Sequence, residues 1–160
     1  MISSGKQFEK DWKRSMPENV FYYRFRDGTA SWGGESENIR FQQSNISDCL
    51  MYLKPVLWLA DLKSHKGKSI PFNCFRENQV KDLSKAMMHE GIKAGFIVNF
   101  RDIEETYFVK ANDVEYYIAH SERKSIPLDW CRENGIRIGQ RLLKVHYRYD
   151  VEGLLKGVQP

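Results

Sequence analysis

Apolar residues recur at four-residue spacing near the start of the chain: Phe8, Trp12 and Met16. That spacing puts them on one face of a helix. Ser4, with Gln7 three residues on, has the form of a capping box that opens it. The pattern predicts a helix to about Ser15, with Glu9 at the edge of its buried stripe. Val20 to Arg26 is dense in aromatics and predicts a strand. Residues 27–45 break the pattern: Gly28, Gly33 and Gly34 stand among polar residues, with Trp32 between them. Long segments without regular structure are uncommon in compact domains and often functional, so this one reads as a loop or a protrusion.

Ile46 to Lys63 predicts a hairpin turning at Lys54-Pro55. With the loop centred there, Asp48 falls directly opposite Asp61. Side chains alternate along a strand, so Lys63 shares the face of Asp61. Acids are rare inside apolar runs such as Val56 to Leu62, because an unpaired buried charge is costly. Opposed residues have Cβ atoms roughly 5 Å apart, and two carboxylates that close repel unless a cation lies between them. A one-residue slip would undo the arrangement. A carboxylate pair with an ammonium beside it is the equipment of a metal-dependent phosphodiesterase.

Further on, Val80, Leu83 and Met87 form the stripe of a helix over Phe75 to His89, with Asn73 as its cap and Gly91 as its stop. Ala94 to Phe100 and Glu104 to Val109 predict strands. Asn112 or Asp113 caps a short helix to about His120. Leu142 to Tyr149 is a closing strand or helix, and its pattern does not choose between them. The order implies an α/β fold, a mixed β-sheet flanked by helices, with residues 1–160 as a single domain.

The totals narrow the class. A chain of 160 residues, 41% hydrophobic and 29% charged, has room for a real core and the balance of a soluble protein. No apolar stretch is long enough to span a membrane, and the first residues lack a signal peptide's apolar core. The expectation is a cytoplasmic protein. Cys49, Cys74 and Cys131 form no CxxC pair, which argues against a disulfide framework or a zinc site. The four histidines show no metal-ligand spacing. The net charge of +4 is reproduced by one segment, Leu62 to Lys81, where Lys63, Lys66, Lys68, Arg76 and Lys81 face one acid, Glu77. A cation cluster directly after the acidic pair suits a phosphate-bearing partner, and equally a solvated basic loop.

Hard-cation chemistry fits the oxygen donors at hand. Asp48, Asp61 and the Leu62 carbonyl are candidate ligands for Mg2+ or Mn2+. Lys63 would orient a water or neutralise developing charge. Glu9 from the first helix and Gln79 from the second complete the candidate catalytic set. Each has an ordinary alternative: a same-face pair on a strand end for Asp61 and Lys63, an edge acid for Asp48, an i,i+4 pair with Lys13 for Glu9, and a solvated helix position for Gln79. Taken singly the alternatives prevail; the combination is harder to dismiss.

This combination resembles the PD-(D/E)xK nuclease superfamily, and within it the RecU family of Holliday-junction resolvases. Gly5-Lys6-Gln7-Phe8-Glu9-Lys10-Asp11 is similar to that family's opening helix. Asp61-Leu62-Lys63-Ser64-His65-Lys66-Gly67-Lys68-Ser69-Ile70-Pro71-Phe72 is similar to its catalytic strand and the segment after it. Arg76-Glu77-Asn78-Gln79 resembles its helix start. The resemblance covers about residues 5 to 110. It implies a restriction-endonuclease-like core and a homodimer that nicks opposed strands of a four-way DNA junction with Mg2+ or Mn2+. It makes Asp48 and Asp61 metal ligands, Lys63 the catalytic lysine, and Glu9 and Gln79 supporting residues. DNA contacts are expected from Lys6, Lys66, Lys68 and Arg76. Residues 27–45 correspond to the family's stalk, with Trp32, Arg40 and Phe41 as contacts. Ser47 and Leu59 depart from the family pattern, Leu59 standing where relatives carry a further acid. The other readings are a nuclease of the same fold acting on flaps or duplex DNA, and a DNA-binding module without catalysis.

Overall fold

The computed structural model describes residues 1–26 and 44–157. Trp32, Arg40 and Phe41 therefore lie outside the described residues, as does most of the segment expected to form a stalk. The chain begins with helix α1 (Ser4–Arg14) and strand β1 (Phe21–Arg24), then the hairpin β2 (Cys49–Leu53) and β3 (Val56–His65). A short strand β4 (Ser69–Pro71) and a 3-10 turn lead to α2 (Glu77–Ala86), β5 (Ile92–Phe100), β6 (Glu105–Lys110) and α3 (Ala111–His120). The remainder is β7 (Ser125–Pro127), α4 (Leu128–Asn134), β8 (Ile136–Ile138), β9 (Gln140–Leu143), β10 (His146–Tyr149) and α5 (Val151–Lys156).

Six strands form one mixed sheet in the order β1-β2-β3-β5-β6-β8. Only β3 and β5 run parallel, because α2 carries the chain from one to the other. Strand alternation divides the apolar side chains between two layers. Leu59, Phe96, Val98 and Val109 face α2, α3 and α4 and pack with Val80, Leu83, Val114 and Cys131. Trp58, Ala60, Leu62, Ile97 and Phe108 face the other way, onto Phe8 and Trp12 of α1 and Leu154 of α5. Each large side chain so buried contributes about 1.5–3 kcal/mol. Among the described residues no helix is long and apolar enough to cross a membrane.

The hairpin has the expected register: Leu53 pairs with Val56 and Cys49 with Ala60 across the Lys54-Pro55 turn. Other details differ from the sequence reading. The N-cap of α1 is Ser3, whose hydroxyl accepts from the Lys6 N–H, and Gln7 donates to Asp11 instead of closing a capping box. Asn73 sits in the 3-10 turn, and α2 starts after Arg76 without a side-chain cap, because Phe75 is extended. The helix from Ala111 begins one residue before Asn112 and two before Asp113, the expected caps, with Lys110 at the boundary. Leu142 to Tyr149 is neither one strand nor a helix. It is the outer part of a two-stranded ribbon, β9 and β10, which turns at Lys144 and Val145.

Candidate active site

The central strand β3 carries the site. Its first half is paired on both sides, by β2 and β5. The ladder with β2 ends at Cys49 and Ala60, so the next β3 amide facing that edge, Leu62 N–H, has no strand partner there. Asp48 supplies one: its Oδ2 accepts from Leu62 N at 2.7 Å. The Leu62 carbonyl lies on the same edge of the strand as its N–H, beside this carboxylate. Asp48 is itself pinned from behind, since its own carbonyl accepts from Phe25 N at 2.9 Å and from Arg24 Nη1 at 3.1 Å.

Asp61 is 2% exposed and faces the α2 layer. Gln79 Nε2 donates to its Oδ1 at 2.7 Å, and Lys63 Nζ stands 2.6 Å from its Oδ2 as an ion pair without a directed hydrogen bond. The other end of that amide, Gln79 Oε1, is buried and has no hydrogen-bond partner. The structure thus brings Asp48, Asp61, Lys63 and Gln79 together. Glu9 stays on the other side, on α1, where Arg24 Nη2 reaches its Oε2 at 2.6 Å. Arg24 Nη1 lies 3.9 Å from Asp48 Oδ1. Sequence reasoning missed Arg24; its one signal is a cation at the end of an aromatic strand, 15 residues after Glu9.

Burial, and next the charge of Asp61, push the Asp48 carboxyl up from 3.8 to about 7; the Leu62 N–H and Arg24 work against this. The stability consequence has a definite sign. The folded state holds the proton more tightly than the unfolded chain, so this group's contribution is intact below about pH 4 and is lost as pH rises through 7. In metal-free buffer the wild type should therefore lose thermal stability between those pH values relative to Asp48→Asn, measured as parallel melting curves. Parallel pH profiles for the two proteins would refute the coupling.

Lys66, Lys68 and Arg76 are exposed. The loop bearing the two lysines is held by Gly67 N donating to Asp102 Oδ2 at 3.1 Å, and by the Lys68 carbonyl accepting from Leu128 N at 2.8 Å. Lys81 pairs with Glu77 at 2.6 Å, which removes one cation from the basic run. Lys6 is exposed on the first turn of α1, the helix that covers the opposite layer. Among the described residues no group of three or more His, Cys, Asp or Glu side chains converges. The site offers a carboxylate pair with carbonyl and amide oxygens, not a cage. That suits an octahedral ion such as Mg2+, which usually keeps several waters and takes one or two carboxylates plus substrate phosphate. The unpartnered Gln79 Oε1 is a further hard oxygen on the amide that donates to Asp61.

Residues 35–152 match the family model described as RecU, Recombination protein U. The chain belongs to the RecU family. This RecU-family chain is 31% identical to the SPbeta prophage-derived uncharacterized protein YotM of Bacillus subtilis, covering 95% of itself and 85% of that protein. It is 34% identical to the Holliday junction resolvase RecU of Lactococcus lactis over 48% of itself and 36% of the relative. With the Holliday junction resolvase RecU of Streptococcus thermophilus it shares 31% identity over 73% of itself and 60% of the relative. The chain thus spans less than two thirds of the length of these two resolvases. Among solved structures it is similar to Hjc, a Holliday junction resolvase of Archaeoglobus fulgidus, with a TM-score of 0.53 at 14% identity, covering 83% of this chain and 95% of that one. That likeness shows the fold, a restriction-endonuclease-like mixed sheet between helices.

Proposed function

We propose that this RecU-family chain is a divalent-metal-dependent endodeoxyribonuclease that resolves four-way DNA junctions by paired nicks. The observation that carries the reading is the Asp48 and Asp61 pair at the end of the β2–β3 ladder, with Lys63 Nζ 2.6 Å from Asp61. Asp48, Asp61 and the Leu62 carbonyl would hold Mg2+ or Mn2+. Bound there, such an ion supplies Lewis-acid polarisation of a phosphoryl oxygen and lowers the pKa of water.

The chain's own groups have separate tasks. Asp61 is oriented from both oxygens, by Gln79 and Lys63, so it presents a fixed carboxylate. Lys63 Nζ is the proton donor nearest the carboxylates, and it would orient the attacking water or neutralise charge building on the phosphate. Gln79, through its bond to Asp61 Oδ1, would hold that carboxylate in place. Arg24 ties Glu9 to the Asp48 backbone and so acts as a positioning residue. Lys66, Lys68 and Arg76 would meet phosphates beyond the scissile bond.

The described part of the chain carries one such site, so two opposed nicks require two copies, and the active form is proposed to be a homodimer working on cytoplasmic DNA. The test is cleavage of a synthetic four-way junction beside matched flap and duplex DNA, with Mg2+, Mn2+ or EDTA. Symmetric nicks confined to the junction, abolished by EDTA, are expected. Equal cutting of all three substrates would leave a nuclease without junction specificity. Binding without cutting under any metal would leave a DNA-binding module.

A further inference from the structure

Between Glu133 and Asp150 the chain contains no acid, yet it contains Arg137, Arg141, Lys144 and Arg148. Three of these lie on the β9–β10 ribbon or its turn. Arg141 and Arg148 are direct cross-strand partners. They lie on one face, about 5 Å apart at Cβ, where like charges destabilise a sheet. The ribbon's other face is turned to the body: Tyr149 packs on Phe8 and Trp12, and Gln140 accepts from Thr106. The arginine face is therefore the outward one, and both guanidinium residues are exposed.

Among the described residues neither arginine forms an ion pair with a carboxylate. Asp150 shares an open recess of about 330 Å³ with both arginines, but its Oδ1 accepts from Gly153 N as the cap of α5. The other nearby acids are also engaged: Asp11 by Gln7, Arg14 and Tyr147 N, and Glu104 by the Tyr147 hydroxyl. Arg148 Nη2 reaches the Arg14 carbonyl at 3.5 Å, which adds the basic last turn of α1, Lys13 and Arg14, to the same side. The outer half of the ribbon stands clear of the body. Val145 at the turn is 88% exposed, and Leu142 is 58% exposed although it lies on the inward face.

The ribbon also starts at the sheet end that bears the site. Ser64, one residue past Lys63, donates to Asn99, Asn99 to Thr106, and Thr106 to Gln140 at the ribbon's root, with distances of 3.0, 2.9 and 2.6 Å. We propose that the β9–β10 ribbon is a second DNA-contacting surface, in which Arg141 and Arg148 grip the phosphates of a duplex arm while cleavage proceeds at Asp61. A phosphodiester backbone relieves the repulsion between two opposed guanidiniums, and a two-stranded ribbon is narrow enough to follow a groove. This inference rests on the DNA-cleaving reading above.

The experiment uses the full chain with labelled duplex and junction DNA in EDTA, titrated at a series of salt concentrations. Each phosphate contact contributes about 0.9 to the slope of log K against log salt. The double variant Arg141→Ala, Arg148→Ala should lower that slope by about two and weaken binding most at low salt. Arg141→Lys, Arg148→Lys should restore the slope, since a phosphate is neutralised by either cation. Unchanged slope and affinity in the alanine variant, with a wild type that binds and cuts DNA, would overturn the ribbon alone. Weaker binding at an unchanged slope would also overturn it, because it would mark a structural effect. A wild type that binds no DNA at any salt would overturn the nuclease reading and the ribbon together.

Discussion

Asp61→Asn is expected to lower DNA cleavage on the order of a thousandfold while junction affinity in EDTA stays within about threefold. The substitution preserves shape. The oxygen of the new side-chain amide still accepts from Gln79 Nε2, so α2 keeps its tie to β3. What changes is the other atom, which becomes an N–H2 donor facing the Lys63 ammonium, in the wild type 2.6 Å from a carboxylate oxygen. Two donors cannot share that contact, so Lys63 is released as the carboxylate charge disappears. Lys63→Ala works from the opposite side and leaves a 2% exposed carboxylate without its cation, so it should lower the melting temperature as well as cleavage. Because the two groups act as one unit, the double variant should be little worse than either single one. Cleavage by Asp61→Asn near the wild-type rate would remove Asp61 from the reaction.

Gly95→Ala is expected to destabilise the fold by about 3 kcal/mol or more, beyond the usual range for one added methyl group. Gly95 lies in β5, opposite Ala60 on β3 and Lys110 on β6. A Cβ there would stand 2.1 Å from the Val109 carbonyl oxygen and 3.0 Å from its carbon. Both are backbone atoms, and β6 cannot retreat because β8 holds its other edge through Phe108 and Ile136. The strain would pass to β3 and disturb Asp61 one residue beyond Ala60. Denaturant titration should show a lower midpoint with an unchanged slope; a midpoint equal to wild type would mean the strands can separate more freely than their pairing suggests.

How far such features are visible in sequence depends on how local their causes are. The hairpin register was readable because the Lys54-Pro55 turn lies at the centre of two apolar runs, and the Asp48 and Asp61 pair came with it. Gln79 is visible in sequence as a polar candidate on the second helix, but nothing in its helix pattern marks a side chain that donates to a buried acid. Arg24 was out of reach: its partners Glu9 and Asp48 come from different layers of the fold, 15 and 24 residues away. The three-residue strands β4 and β7 are too short to show a period. The ribbon looks like a single element in sequence because its turn has Lys144 at φ 47° and Val145, where a turn signal would normally show Asn or Gly.

The two ends of the described chain are fastened to one another. Asp11 Oδ2 accepts from Tyr147 N at 3.1 Å, Ser15 Oγ accepts from Tyr149 N at 2.9 Å, and the Phe8 and Trp12 rings lie 5.2 and 5.8 Å from Tyr149. Translation proceeds from the N-terminus, so α1 is made 134 to 136 residues before Tyr147 and Tyr149, its partners on the ribbon. Such a closure pairs residues of very high sequence separation and forms late. A chain ending before the ribbon would hold β3 and its acids yet leave one flank of Phe8 and Trp12 in water.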